Sequence, residues 1–391
     1  MRILFVHNFF QQFGGEDAVA LTEKQLLESH GEALVCYTRH NDEIKAYGLT
    51  DKIRFPLQTI FSQHTRTAMT EVVKNFGPEV AYIHNVFPLI SPSLYHVLHS
   101  LGVPLVQVIH DFRFLCPNGW FYTRGQICKR CKYGNYLHAV RYRCYRNSSF
   151  LSAVYAAAIG INRLASVMSK IAAYVCLTEF SQRELLEVGI PEEKIFIRPN
   201  FIDAATTTPT PGKGNYIVYL GRLSHEKGVW TLIHAFERLK DVALRIVGTG
   251  PLEERLRSYV QEKNLQHISL VGFKQGQEKK ELLENSFCTI VPSEWYENFP
   301  VVILESYAAA KPVIGANVGS LPHIIEDGKS GLLFEPGNPL DLAEKVQFLL
   351  ARPEERKRMG QYGRKLVETQ YSPERSYQTL MAIFKEVRSK Q

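Results

Sequence analysis

Two glutamates eight residues apart, Glu297 and Glu305, flank the start of a helix predicted from about Pro300 to Ala310. Proline fits the first helical position, because its missing N–H would have no partner there. Asn298 and Phe299 therefore lead into a helix N-terminus, where free amides and the helix dipole attract anions. This pattern favours a phosphate site bordered by carboxylates. The alternative is that Glu297 only complements the dipole and Glu305 faces solvent.

Two cations follow the predicted strand Tyr216–Leu220, in the sequence G-R-L-S-H-E-K-G that runs from Gly221 to Gly228. Arg222 and Lys227 would lie at the carboxyl end of that strand, beside the start of a helix. Two fixed positive charges at such a position suit a diphosphate group. The alternative is a surface loop held by salt bridges.

A glycine pair follows the first predicted strand, Arg2–His7, and precedes a predicted helix over Ala18–Ser29. Strand, turn and helix in this order form the first unit of a doubly wound sheet. The turn lacks the G-x-G-x-x-G pattern, so the dinucleotide fingerprint is absent. Gly14 and Gly15 would let the backbone approach a ligand closely, or they form only a plain turn.

Strands and helices alternate along the rest of the chain, which predicts mostly parallel sheets covered on both faces. Ligands of such sheets bind at the carboxyl ends of the strands. His110 ends one predicted strand, and Gly248 and Phe273 follow two others. A histidine at a strand end is also a common structural hydrogen-bonding group. The other strands are predicted at Glu32–Tyr37, Val80–His84, Leu105–His110, Ala173–Leu177, Leu244–Val247, Ile268–Val271 and Cys288–Val291.

Four of the seven cysteines fall within 29 residues, in the pattern C-x11-C-x2-C-x12-C. A Cys-x-x-Cys pair is a common half of a tetrahedral zinc site, and two outer cysteines would complete a four-thiolate set. Reduced thiols without metal are the next interpretation, and disulfides are the last. The four are Cys116, Cys128, Cys131 and Cys144.

Positive charge is concentrated in the segment 112–178, which contains no Asp or Glu. The whole chain carries a formal net charge of +7. Aromatic residues are interspersed with the basic ones, which favours contact with a membrane surface or a lipid phosphate over a nucleic acid. The alternative is a solvated basic surface. The ten basic residues are Arg113, Arg124, Lys129, Arg130, Lys132, Arg141, Arg143, Arg146, Arg163 and Lys170.

The composition is that of a globular protein, with 45% hydrophobic and 22% charged residues. No uncharged apolar run is long enough for a membrane-spanning helix. The first residues, M-R-I-L-F-V-H-N, predict a strand and not a secretory signal. We therefore expect a cytoplasmic protein without disulfides, with peripheral contact to the inner membrane through the basic segment.

A segment rich in Thr, Pro and Gly predicts a linker over 205–215, after which the α/β rhythm restarts. We expect a first domain over 1–204 that carries a Cys-rich basic insertion at about 112–150. The second domain is expected over 216–371. A last helix, over about 372–391, would complete the first domain.

The ordered motifs resemble family 4 retaining glycosyltransferases of the GT-B fold. The spacing of Glu297 and Glu305 is similar to the E-x7-E signature of that family, and Gly221–Gly228 resembles its G-R-L-x-x-x-K-G motif. The loop Glu326–Leu333 resembles an E-D-G-x-x-G-L-L motif. The resemblance extends over essentially the whole chain. It implies two Rossmann-like domains that face each other across a cleft, with the C-terminal helix crossing back to the first domain.

The resemblance also implies roles for single residues. His110 and Glu297 would contact the donor sugar near the reacting carbon, Arg222 and Lys227 the diphosphate, and Glu305 the ribose. Pro300 stands where the family usually has glycine, and proline offers no N–H. The remaining donor contacts are expected from Gly14, Gly15, Gly248, Phe273, Asn298, Phe299, Val301 and Val302.

The resemblance implies a retaining hexosyltransferase of exopolysaccharide assembly with UDP-glucose as the first choice of donor, and we expect catalysis without a metal. The acceptor would be a glycan or a polyprenyl-diphosphate-linked sugar, and no nucleic acid partner is expected. Fixed cations would replace a divalent metal, because the chain has no Asp-x-Asp. Two rival functions are a sugar-nucleotide epimerase of the same fold and a non-catalytic nucleotide-sugar scaffold.

Overall fold

A computed structural model describes residues 1–390, which form two compact α/β units. Unit 1 comprises Met1–Thr123, Cys128–Pro199 and the chain from Tyr377 onward. Unit 2 comprises Arg124–Ile127 and Asn200–Ser376. Each unit is built on its own parallel sheet, so the prediction of two Rossmann-like domains is confirmed.

Unit 1 contains a six-stranded sheet in the order β2-β1-β3-β4-β7-β8, in which every neighbouring pair is parallel. Its central strands are apolar because helices cover both faces; Ile3–Val6 is at most 1% exposed. Strands β5 and β6 lie outside this sheet. The bounds are β1 (Arg2–Phe9), β2 (Ala33–His40), β3 (Val80–Ile83), β4 (Leu105–Ile109), β5 (Tyr122–Thr123), β6 (Gln126–Ile127), β7 (Ala173–Cys176) and β8 (Ile195–Ile197).

Unit 2 contains a second six-stranded parallel sheet, in the order β11-β10-β9-β12-β13-β14. Numbered within the unit, this is the 3-2-1-4-5-6 order of a doubly wound fold, and the direction of winding switches between β9 and β12. The loops that leave these two strands therefore diverge and open a crevice. The bounds are β9 (Tyr216–Leu220), β10 (Leu244–Val247), β11 (Ile268–Gly272), β12 (Ser286–Val291), β13 (Val313–Ala316) and β14 (Gly331–Phe334).

Helices connect the strands of each sheet. Those before unit 2 are α1 (Gly15–Ser29), α2 (Leu49–Ile60), α3 (Gln63–Phe76), α4 (Ser93–Ser100), α5 (Leu137–Arg141), α6 (Ser149–Leu164), α7 (Val167–Lys170) and α8 (Glu179–Leu186). Those of unit 2 are α9 (Val229–Phe236), α10 (Glu253–Glu262), α11 (Gly276–Glu284), α12 (Val301–Ala308), α13 (Leu321–Ile324), α14 (Pro339–Ala351) and α15 (Pro353–Thr369). No helix among residues 1–390 combines the length and the apolarity that crossing a bilayer requires.

The last helix, α16 (Pro373–Ser389), packs on unit 1 from Tyr377 onward. The Tyr377 ring stacks on His30, and its hydroxyl donates to the Glu32 carboxylate at 2.6 Å. Farther along, Phe384 meets Tyr82 edge to face. The end of the chain thus contributes core side chains to the first unit.

A buried charged cluster joins α1 to the middle of the unit 1 sheet. Arg198, which follows β8, donates to the Glu23 carboxylate of α1 at 2.5 Å and to the Tyr82 hydroxyl at 2.7 Å. The Tyr82 hydroxyl also donates to Glu23. Both charged side chains are at most 1% exposed. Removing one partner of such a pair would leave the other charge buried and unpaired, at a cost of about 3–5 kcal/mol.

The segment 205–215, which was predicted as a linker, is grouped with unit 2 and packs there. The Thr210 amide donates to the Ala309 carbonyl at 3.0 Å. The buried Lys311 ammonium donates to the Thr210 and Lys213 carbonyls at 2.7 and 2.8 Å. A composition typical of linkers is here held in place by hydrogen bonds to residues distant in the sequence, the buried Lys311 among them.

Candidate functional site

Two loops at the winding switch of unit 2 pack directly on each other. One follows β9 and contains Arg222 and Lys227, and the other follows β12 and contains Glu297. Gly228 allows their contact: its φ is +65°, and a Cβ at this position would lie 1.8 Å from the Pro292 carbonyl oxygen. Only glycine satisfies both conditions.

Lys227 and Glu297 form an ion pair between these loops. The Lys227 ammonium donates to the Glu297 carboxylate at 2.6 Å, and the Ser293 hydroxyl donates to the same oxygen at 2.6 Å. The glutamate side chain is 8% exposed and the lysine side chain 25%. Burial is the largest single influence and raises the pKa of Glu297, but the Lys227 charge and the hydrogen bonds from Lys227, Ser293 and Trp295 together outweigh it, so the pKa is lowered. Glu297 is therefore an anion at neutral pH.

Arg222 is exposed at the same strand end. Its carbonyl accepts a hydrogen bond from the Tyr219 hydroxyl at 2.8 Å, which fixes the backbone of the loop. Its guanidinium makes no ion pair with any of residues 1–390 and is available to a ligand. The loop after β10 also packs tightly against the loop after β9, since a Cβ on Gly248 would lie 1.9 Å from the Gly221 carbonyl oxygen.

The helix α12 begins at Val301, with Pro300 immediately before its first residue. The prediction that Pro300 is the first helical residue is wrong by one position, and its ψ of 114° is extended. The Ile303 amide donates to the Pro300 carbonyl at 3.1 Å. First-turn amides have no acceptor inside their own helix, so Val301 and Val302 provide the donors at this N-terminus.

Phe299 and Asn298 precede this helix and are both buried. The Phe299 ring packs edge to face on Tyr371, at 5.7 Å between centroids. Its carbonyl accepts a hydrogen bond from the buried Asn200 side chain at 3.1 Å. The Phe299 side chain is thus part of the core of unit 2, and it holds the loop in place.

Glu305 lies on the partly exposed side of α12, and its carboxylate accepts a hydrogen bond from Lys279 of α11 at 2.5 Å. A ribose hydroxyl at Glu305 would share that carboxylate with Lys279. Phe273, after β11, is 66% exposed. The sequence gives no signal for Lys279 or Ser293, because a lone lysine or serine carries no spacing pattern.

In unit 1, the predicted donor-side residues lie at the carboxyl ends of β1 and β4. Gly14 precedes α1 and Gly15 is its first residue. Neither has a positive φ, so neither position requires glycine for its backbone conformation. The Gly14 amide donates to Asp17 at 3.0 Å, and Asp17 is also bonded to the buried His7 ring at 2.8 Å.

His110 follows β4 and stacks on His84, which follows β3. The ring centroids lie 5.0 Å apart, and His84 Nδ1 and His110 Nε2 share a hydrogen bond of 2.7 Å. Burial, together with the nearby His7, lowers the pKa of His84 well below its usual value. Burial and then His84 lower the pKa of His110 in the same direction. Both rings are neutral at pH 7, so this pair can exchange hydrogen bonds with hydroxyl groups.

A small pocket that is open to solvent adjoins the two histidines within unit 1. Three charged residues line it: Glu16, Asp111 and Arg113. Arg113 donates to the Asp111 carboxylate at 2.8 Å. Burial and the Asp111 charge raise the pKa of Glu16 well above its usual value. A carboxyl group, an ion pair and two neutral imidazoles suit a polyhydroxyl ligand. Glu16 was not predicted from the sequence.

The four clustered cysteines come close to one another without forming a ligand set. Burial, with smaller contributions from Cys116, Cys144 and Cys128, raises the pKa of Cys131 to about 12. Cys116 donates to the Asn118 side chain at 3.0 Å. Among residues 1–390, no group of three or more His, Cys, Asp or Glu side chains is arranged to hold a metal ion. Structural zinc at the four cysteines therefore stays a prediction, which the zinc content of the purified protein tests.

The basic segment is partly neutralised by acids from outside it. Glu184 of α8 accepts hydrogen bonds from Lys129 and, at 2.6 Å, from Lys132. Lys132 also donates to Glu187 at 2.5 Å. The positive charge of the segment is therefore partly compensated, because these acids follow the segment in the chain and fold back onto it. Exposed arginines without an ion-pair partner among residues 1–390 remain at Arg130, Arg141, Arg143 and Arg146.

Two family models match the chain. The model described as Glycosyltransferase Family 4 matches residues 14–206, and the model described as Glycosyl transferases group 1 matches residues 203–366. The putative colanic acid biosynthesis glycosyltransferase WcaL of Escherichia coli is 30% identical over 176 residues, which are 41% of this chain and 43% of that protein. The chain spans about half the length of the curated relatives it matches.

Solved structures share the fold over the whole chain. A sucrose-phosphate synthase from Thermosynechococcus elongatus has a TM-score of 0.74 at 16% identity, with 100% of both chains covered. HepE of Anabaena in complex with UDP has a TM-score of 0.68 at 17% identity, with 99% of this chain and 100% of that chain covered. At these identities the likeness shows the fold alone.

The neutral histidine pair predicts that the protein loses stability as the pH falls. Below about pH 6.5 the unfolded chain takes up protons that the folded state excludes, because the folded pKa values are lowered. Urea unfolding at pH 7.5, 6.5 and 5.5 should give a free energy of unfolding that decreases by up to about 1.4 kcal/mol per pH unit for each histidine.

The variant His84→Gln should flatten this dependence, and the matched control His99→Gln, at an exposed position of α4, should leave it unchanged. Equal pH dependence in both variants would contradict the assignment of a neutral, buried pair.

Proposed function

This chain belongs to the family 4 glycosyltransferases of the GT-B fold, and we propose that it transfers a sugar from a UDP-sugar donor to an acceptor hydroxyl. The donor of first choice is UDP-glucose, and the anomeric configuration is retained. The acceptor is a glycan or a polyprenyl-diphosphate-linked sugar of polysaccharide assembly. The colanic acid biosynthesis of the WcaL relative and the UDP bound to HepE support this choice of substrates.

One observation carries the proposal: Lys227 forms an ion pair with the buried Glu297 at the winding switch of unit 2. Around it lie the exposed Arg222 and the first-turn amides of Val301 and Val302. Two cations and a helix N-terminus are the groups that bind a diphosphate. The carboxylate beside them suits sugar hydroxyls, which donate hydrogen bonds to it.

During transfer, the bond between the anomeric carbon and the diphosphate oxygen breaks, and its electron pair stays on UDP. The acceptor oxygen forms the new bond to that carbon and gives its proton to the departing diphosphate. Negative charge grows on the leaving diphosphate, where Arg222, Lys227 and the α12 amides stabilise it. Fixed cations make a divalent metal unnecessary for this step, and Glu305 binds the ribose in competition with Lys279.

Removing the Arg222 charge should weaken UDP binding without unfolding the protein. A charge-assisted hydrogen bond contributes about 1.5–3 kcal/mol, so Arg222→Gln should lower UDP affinity by roughly 10- to 100-fold, as measured by calorimetry. The matched control is Arg238→Gln, an exposed arginine beyond the end of α9. An Arg222→Gln affinity within twofold of the parent would show that the donor site is elsewhere.

Release of UDP, followed with EDTA present, tests the reaction itself. Turnover of UDP-glucose should rise when lipid-linked or soluble glycan acceptors are added, and EDTA should not lower it. An epimerase would convert the donor without releasing UDP, and a binding scaffold would do neither. Loss of activity in EDTA that magnesium or manganese restores would contradict a metal-independent mechanism, whereas a slow loss that follows unfolding would point to the cysteine cluster.

A further inference from the structure

The helix α2 of unit 1 exposes a row of large apolar side chains. Leu49, Ile53 and Leu57 are 77%, 68% and 70% exposed. At 100° per residue, positions four apart lie on one side of a helix. Phe61, immediately after the helix, is 45% exposed and continues the row. We call these four residues the α2 face. Soluble proteins rarely leave such a contiguous patch in water without a partner.

Basic side chains border this row. Lys52 and Arg54 are exposed, and by helix geometry they project on opposite sides of the apolar row. Neither forms an ion pair among residues 1–390. The one acidic residue of the helix, Asp51, is turned to its own N-terminus, where it accepts a hydrogen bond from the Gly48 amide at 3.2 Å. The exposed side of α2 is thus apolar in the middle and cationic at its margins.

Neighbouring helices extend the same character. The helix α6 packs against both α2 and α5. It exposes Phe150, Ile161 and Leu164 by 65%, 49% and 87%, and Leu137 of α5 is 77% exposed. The exposed arginines without ion-pair partners, identified above, lie in and around α5. Apolar and cationic groups are therefore concentrated on connected helices of one unit.

We propose that the α2 face lies in the plane of an anionic lipid bilayer, with its apolar side chains in the acyl boundary and its basic residues at the lipid phosphates. Charge complementarity selects this occupant. Lysine and arginine at the margins of an apolar row extend their charged ends to the headgroups, and each adds attraction to anionic lipid. The inference goes beyond the transfer reaction and does not depend on it.

The experiment compares vesicle binding of three variants of the full chain. The first, L49Q/I53Q/L57Q, removes the apolar row but no charge. The second, R141Q/R143Q/R146Q, removes charge but no apolar surface. The matched control, L101Q/L186Q/L340Q, replaces apolar residues that are 39%, 38% and 49% exposed outside these helices. Circular dichroism verifies that each variant folds.

Co-sedimentation uses phosphatidylglycerol–phosphatidylcholine vesicles and pure phosphatidylcholine vesicles. The parent should bind the anionic vesicles more strongly. The α2 variant should bind at least about tenfold more weakly at every salt concentration, while the arginine variant should lose binding mainly at low salt. The control should behave as the parent. UDP affinity, measured on the same samples, should not change, which separates this proposal from that of the donor site.

Three results would overturn the proposal. One is equal binding of the parent to charged and neutral vesicles, or no binding to either. Another is unchanged binding of L49Q/I53Q/L57Q. The third is self-association of the parent in sedimentation velocity without lipid that this variant abolishes, because the α2 face would then join two copies of the chain.

Discussion

The ion pair between Lys227 and Glu297 is the interaction on which the candidate site depends. Burying a carboxylate is costly unless a positive charge and hydrogen bonds compensate it. Here Lys227 and Ser293 both donate to one oxygen of Glu297. The compensation has a geometric consequence, because the pair fixes two loops that leave different strands of the sheet. The cation is held in place before any ligand arrives, which is the condition for electrostatic stabilisation without reorganisation.

Parallel sheets explain why the charges of each unit gather where they do. In unit 2 the carboxyl ends of β9 and β12 adjoin at the winding switch, so the loops that follow them meet. Gly228 makes that meeting possible, since any side chain would collide with Pro292. In unit 1 the ends of β3 and β4 bring His84 and His110 into contact. Burial leaves this histidine pair neutral, which suits hydroxyl groups of a ligand. The pair in unit 2, Lys227 and Glu297, is charged, and its cation suits a phosphate.

The sequence predicted most of what short motifs encode. The loop Gly221–Gly228 and the glutamate at Glu297 both occupy the predicted strand ends, because strand, turn and helix signals are local. The ion-pair partners of Glu305 and Lys132 were not predictable. Lys279 pairs with Glu305 across 26 residues, and Glu184 pairs with Lys132 across 52. Such pairs depend on tertiary packing, which no spacing pattern records.

The α2 face escaped prediction for a related reason. Its apolar residues recur every four positions, a pattern that also describes an ordinary helix packed on a core. Only the exposed fractions of the side chains distinguish the two cases. At 205–215 the composition is typical of a linker, yet the segment packs within unit 2. One residue that binds its backbone, Lys311, lies about a hundred positions away in the sequence.

A crystal structure with bound UDP would test the central claim most directly. The account predicts diphosphate oxygens at about 2.7–3.2 Å from the Arg222 guanidinium, the Lys227 ammonium and the amide of Val301 or Val302, with Glu297 still paired to Lys227. A well-ordered UDP whose diphosphate contacts none of these groups, or which binds only to unit 1, would contradict it.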